Sequence, residues 1–144
     1  VNWYAVVIVT HVVLTTSGYV GLIATNAWLL ALCRKGDGTS VSTGVHAWRA
    51  MARVFGPLLG LGVLAGFVVA IIMGVPLTAG WLVATYALIV LALVGQGAMM
   101  VPWQRRAEAA LAAGGSLSTR PIAGTLMLFC VAYVGILWLM ILRP

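Results

Sequence analysis

Four apolar stretches, each long enough to cross a bilayer and each with its charged residues confined to its ends, limit what this chain can fold into. A hydrocarbon core of roughly 30 Å takes ~20 apolar residues per helix, and in lipid each backbone N–H and C=O must be satisfied within the segment or its bundle. The stretches run over about 3–32, 55–73, 81–102 and 122–142. They predict an all-α fold: four antiparallel transmembrane helices forming one domain over 1–144. Only 7% of the residues are charged and 63% are hydrophobic, whereas a soluble domain carries about 25% charged residues.

The first stretch lacks a basic region ahead of it, which argues against a cleaved signal peptide. Residues 36–44 are Gly, Ser and Thr with one Asp and predict a polar turn. From Val45 to Phe55 two arrangements stay open. Val45, Trp48, Ala52 and Phe55 recur at helical spacing opposite His46, Arg49 and Arg53, as in a short interfacial helix; the same residues suit the first turns of the second span. The third helix is expected to continue past Pro102 to about Ala113, with Gly114-Gly115 ending it. Ser118 or Thr119 then caps the fourth, with Pro121 in its first turn.

Of the eight basic residues, Arg34, Lys35, Arg49 and Arg53 fall between spans one and two, and Arg105, Arg106 and Arg120 between three and four. The short uncharged connection 74–80 has none. The positive-inside rule therefore places both basic loops in the cytoplasm and both termini outside, leaving Arg143 as the outer exception. Trp3, Trp81 and Trp138 then mark an outer aromatic belt, and Trp28, Trp48 and Trp103 an inner one. The net charge of +6 reads as a topology signal, not a nucleic-acid surface. The expected partners are the lipid bilayer, other membrane subunits or further copies of the chain.

His11 is the ionisable side chain set deepest in a predicted span, the tyrosines aside, and an imidazole in hydrocarbon calls for a partner or a function. Thr15, Gly18, Leu22 and Thr25 share its face at spacings of three and four, which turns that face toward the bundle. Tyr86 and Tyr133 lie at comparable depth and are its candidate neighbours, as are the threonines. Two readings stand: a histidine hydrogen-bonded as packing glue, or a ligand for a cofactor or ion. Haem is the cofactor the residue type suggests. His46 cannot join His11 on one iron because the topology puts it at the opposite interface. Met73 and Met140 reach the outer side without a repeated ligand spacing, so copper has less support.

Gly56, Gly60, Gly62 and Gly66 are spaced for close helix approach, within the bundle or in a homodimer. Gln96 and Asn26 read as interhelical hydrogen bonders. Cys33 and Cys130 form no CxxC and lie at different depths, which predicts unpaired, buried thiols. Asp37 and Glu108, the two acidic residues, both fall outside the spans, so the sequence offers no paired carboxylates, Ser-His-Asp set or phosphate loop, and hydrolytic chemistry is not expected.

Thr10-His11-Val12-Val13 in span one, Arg53 with Pro57 and Gly66 in span two, Val101-Pro102-Trp103-Gln104-Arg105-Arg106 after span three, and the terminal Leu137-Trp138-Leu139-Met140-Ile141-Leu142-Arg143-Pro144 resemble a family of four-helix bacterial membrane proteins. That family is distantly similar to the copper-resistance protein D group and to HemJ-type protoporphyrinogen oxidase. The resemblance implies a bacterial inner membrane and, from the HemJ-type relatives, a first-helix histidine involved with haem, matched here by His11. Their third-helix lysine after a Trp-Leu pair has no counterpart in Trp81-Leu82-Val83-Ala84-Thr85. His11 alone carries over as a candidate haem ligand. The resulting expectation is a non-enzymatic accessory subunit of a membrane bioenergetic or transport assembly; the alternatives are a b-type haem protein using His11 and a copper or small-solute permease component.

Overall fold

A computed structural model describes residues 2–35 and 38–142. Asp37 and Arg143 lie outside the described residues. The described chain forms four helices: α1 (Trp3–Lys35), α2 (Gly38–Ile72), α3 (Gly80–Ala112) and α4 (Arg120–Leu142). All four are long and apolar enough to cross a membrane, and we describe the chain as a multi-pass membrane protein. Three of them have 33, 35 and 33 residues, and at ~1.5 Å per residue each exceeds the ~30 Å hydrocarbon thickness.

Neighbouring helices run antiparallel. Along α1 and α2, Gly21 meets Phe55, Gly18 meets Leu59, Thr15 meets Gly62 and His11 meets Gly66; along α3 and α4, Gly95 meets Leu128 and Met99 meets Gly124. Contact is most extensive between α1 and α2, then between α3 and α4; α1 and α4 join the pairs, and the backbones of α2 and α3 make the fewest close approaches. This arrangement gathers Arg34, Lys35, Arg49, Arg53, Arg105, Arg106 and Arg120 at one end of the bundle, called the basic end below.

The polar turn expected over 36–44 is overturned for its described part: residues 38–44 are helical. Gly, Ser and Thr are poor helix formers, but packing overrides propensity here. Val41, Gly44, Val45 and Trp48 are buried, and a Cβ at Gly44 would meet the Leu32 side chain at 2.6 Å. Residues 45–55 continue the same helix, so no separate interfacial helix precedes the second span. Their apolar stripe joins a core with Leu29, Leu30, Met100, Trp103, Ala107 and Ile122, with Ala52 packed against it.

Two glycines end helices as their positions suggest. Gly74 (φ 66°) follows α2, with Gly74 N–H bonded to the Ile71 carbonyl and Val75 N–H to that of Ala70. Gly114 (φ 69°) follows α3, with its N–H on Leu111 and Gly115 N–H on Ala110. Both are Schellman caps, in which a left-handed residue lets the last carbonyls be satisfied. Thr119 stands just before α4, its carbonyl accepting from Ala123 N–H, with Pro121 in the first turn.

Trp48 and Trp103 are corrections to the aromatic-belt reading. They are 6% and 4% exposed, while Trp3 and Trp138 are 73% and 64% exposed. The buried pair have partners for their N–H groups: Trp48 Nε1 donates to Asn26 Oδ1 at 2.9 Å and Trp103 Nε1 to the Ser118 carbonyl at 2.7 Å. A buried indole needs such an acceptor.

Candidate functional site

His11 sits two turns into α1, where the helix has no room to stand off from α2. Gly62 and Gly66 create that proximity: a Cβ at Gly62 would lie 2.6 Å from Thr15 N, and one at Gly66 would lie 2.7 Å from His11 Cε1. The imidazole therefore rests on the bare Cα of Gly66. Its Nδ1 is 2.7 Å from the Gly62 carbonyl oxygen and 3.3 Å from Thr15 Oγ1. A carbonyl can only accept, so Nδ1–H donates to Gly62. In the neutral ring this tautomer makes Nε2 the acceptor, and Nε2 has no partner among the described residues.

His11 also lines a partly open cavity of about 330 Å³ toward the end of the bundle opposite the basic end. All four helices and the connection between α2 and α3, through Met73 and Val75, contribute to it. Thr15 and Thr85 add hydroxyls to an otherwise apolar wall, Tyr4, Trp81 and Tyr86 add aromatic rings, and Met73 and Met140 add thioethers. Thr85 Oγ1 donates to its own helix at the Trp81 carbonyl, 2.9 Å away. Tyr86 stacks on Phe67 with ring centroids 4.3 Å apart, and its buried hydroxyl has no hydrogen-bond partner.

The expected neighbours of His11 separate here. Thr15 is a hydrogen-bond neighbour, and Tyr86 shares the cavity. Tyr133 is not among the cavity-lining residues and packs on Tyr19, with centroids 5.4 Å apart. The principal partner, the Gly62 carbonyl, had no signal in side-chain identities; only the nearby glycine spacing hinted at so close an approach. Met73 and Met140 join His11 at the cavity through tertiary packing, whereas Tyr4 lies seven residues before it on the same face of α1.

The remaining polar residues divide in the same way. Asn26 makes the expected interhelical bond, accepting from Trp48 and donating to the Leu22 carbonyl at 2.9 Å. Gln96 does not, since its buried Oε1 lacks a partner. Gly62 and Gly66 serve packing within the bundle, whereas a Cβ at Gly56 or Gly60 would meet nothing within 4 Å. Cys33 and Cys130 are free, as expected, but Cys130 is exposed on α4 and not buried. His46 is exposed and borders a second, open depression at the basic end with Thr39, Ser42 and Glu108. Glu108 pairs there with Arg49 at 2.6 Å. Among the described residues, no three His, Cys, Asp or Glu side chains group to hold a metal.

Fold and site together define a small multi-pass membrane protein with a histidine-bearing cavity near one end of its bundle. No family model, curated protein or solved structure matches the chain.

Proposed function

We propose that this chain is a non-enzymatic accessory subunit of a bioenergetic or transport assembly in a bacterial inner membrane, with the basic end in the cytoplasm and a small molecule held in the cavity beside His11. The observation that carries the reading is the imidazole itself: its Nδ1–H is fixed on the Gly62 carbonyl, its Nε2 has no protein partner, and it lines a mostly apolar cavity. A site of this kind, apolar with a few placed polar groups, binds small ligands. Support for a non-enzymatic role comes from Glu108, the acidic residue within the described chain, being engaged by Arg49 at the basic end, far from the cavity. Protein purified from its own membrane in mild detergent is expected to bring a stoichiometric membrane partner. Turnover of a small-molecule substrate by the isolated chain would sink this reading. Cysteines placed at Thr78 and Ser116 test the orientation: impermeant reagents should reach Thr78→Cys from outside and Ser116→Cys from inside, and labelling of both from one side would refute it.

Haem b, which the HemJ-type resemblance implies for His11, fits the site poorly. The tautomer suits an axial ligand, because an Nδ1–H bond to a carbonyl commonly orients a ligating histidine. But among the described residues no Lys or Arg lines the cavity to receive propionates, and about 330 Å³ lies near the low end of the ~300–1,000 Å³ range of small-molecule sites, too small for a substituted tetrapyrrole. The thioethers of Met73 and Met140 beside His11 favour the copper-permease reading over haem, because soft sulfur donors select copper(I). An absorption spectrum and metal analysis of the purified protein separate these outcomes. A Soret band lost in His11→Ala would restore haem, and stoichiometric copper lost in the same variant would assign the cavity to the permease reading.

A further inference from the structure

The geometry points to a ligand class for the cavity: a lipid-soluble aromatic alcohol, a phenol or hydroquinone ring bearing an apolar tail, with its hydroxyl donating to His11 Nε2. This deepens the reading of the cavity as a ligand site and rests on it. It does not depend on which assembly the chain joins.

The proton on His11 sets the first requirement. Because the Gly62 carbonyl takes Nδ1–H at 2.7 Å, the neutral ring offers Nε2 only as an acceptor. A ligand that satisfies it must bring its own donor. Ketones, ethers and quinones carry acceptors alone and leave Nε2 unpaired in an apolar cavity, which is costly. The second polar handle is the Tyr86 hydroxyl, buried and without a partner on a cavity-lining residue. A phenolic oxygen both donates and accepts, so a ligand of this class carries the complement of each of the two groups. A ligand offering N–H donors without an acceptor oxygen would leave the Tyr86 hydroxyl unmatched.

The walls add the requirement for a ring and a tail. Tyr86 is already stacked on Phe67, and Trp81 and Tyr4 line the same space. Aromatic rings prefer offset or edge contacts with other rings, and flat phenols meet such surfaces well. Ile8, Val63 and Val69 supply aliphatic wall. Among the described residues no charged side chain lines the cavity, so its described walls offer an anionic or cationic head no partner. The cavity is partly open and is set among helices apolar enough to cross a membrane, where apolar solutes concentrate in the surrounding lipid.

The test uses the full chain in phosphatidylcholine nanodiscs, titrated calorimetrically with decylhydroquinone, with its O,O-dimethyl ether and with decylquinone. We expect saturable one-site binding of the hydroquinone, with the ether and the quinone each weaker by roughly tenfold, about the worth of one buried hydrogen bond. His11→Leu should bring the hydroquinone down to the level of the ether and leave the ether unchanged. Tyr86→Phe, which keeps the stacked ring, should weaken all three. Equal affinities for hydroquinone and ether in the wild type would overturn the inference, and that comparison needs no variant to fold. Saturable copper(I) binding with no binding of any of the three aromatics would overturn it too, while leaving the cavity a ligand site. If neither copper(I) nor any aromatic binds, both the inference and the underlying reading fail.

Discussion

The basic end of the bundle and the cavity end are built from the same four helices but handle their polar groups in opposite ways. At the basic end Trp48 is bonded to Asn26, Trp103 to the Ser118 carbonyl and Arg49 to Glu108. Gln104 Nε2 is the exception there, buried without a partner. At the cavity end His11 Nε2 and the buried Tyr86 hydroxyl, both on cavity-lining residues, have no partner among the described residues. Both regions satisfy the demand that helices pack, but at the cavity end the unspent hydrogen-bonding capacity belongs to residues lining a mostly apolar cavity, whereas the depression at the basic end is open and bordered by Glu108, already paired with Arg49. In a membrane protein that imbalance locates function better than residue type does, because unpaired polar groups in an apolar setting carry a cost that a ligand can relieve.

The strongest way to break the comparison is through the α1–α2 contact that supports both ends. A Cβ at Gly18 would lie 2.6 Å from Leu59 N and 2.7 Å from Leu59 Cα, and backbone cannot swing aside as a side-chain tip can. Gly18→Val is expected to destabilise the fold by about 3 kcal/mol, at the upper range for overpacking. Gly60→Ala, on the same α2 helix where nothing lies within 4 Å, should be neutral or stabilise by up to ~1 kcal/mol through helix propensity. Denaturant unfolding in mixed micelles measures both. Equal losses in the two variants would show that the glycine contacts do not set the packing.

At the basic end, Asn26→Leu removes the acceptor of a buried indole and should cost roughly 1–2 kcal/mol in the same unfolding measurement. At the cavity end, His11→Leu should cost about 1 kcal/mol, since Gly62 loses a side-chain donor to its carbonyl and no other group is stranded. A His11 effect much larger than that of Asn26 would invert the comparison and mark the histidine as the structural centre of the bundle. The smallest effect is expected from the Arg49–Glu108 pair, whose side chains are 39% and 46% exposed. A double-mutant cycle with Arg49→Ala and Glu108→Ala should give a coupling of no more than about 1 kcal/mol, reduced further by salt.

The four-helix architecture was legible in the sequence because hydropathy is a local property, and the bilayer leaves few backbone conformations open to so apolar a chain. The ends of α2 and α3 were legible for a similar reason: Gly74 and Gly114-Gly115 follow long apolar runs, where a residue free to take positive φ closes a helix. So was the orientation of His11 toward the bundle, through the stripe of Thr15, Gly18, Leu22 and Thr25. Residues 38–44 were misleading because their weak helix propensity is outweighed by the burial of Val41, Gly44 and Val45. Trp48 and Trp103 were misplaced because an interfacial tryptophan and a buried one with an acceptor look alike in one dimension.

By itself, then, the sequence determined the number of helices, their polarity along the chain and the gathering of seven arginines and lysines at one end, all consequences of residue type and spacing. Tertiary structure decided which nitrogen of His11 holds the proton, and which groups surround the other. The Gly62 carbonyl acts through its backbone position, 51 residues away in sequence, and Tyr86, Met73 and Met140 reach the cavity from two other helices and a helix end. A hydrogen bond to a main-chain oxygen carries no residue code, so this part of the site could be read only once α1 and α2 had been brought together.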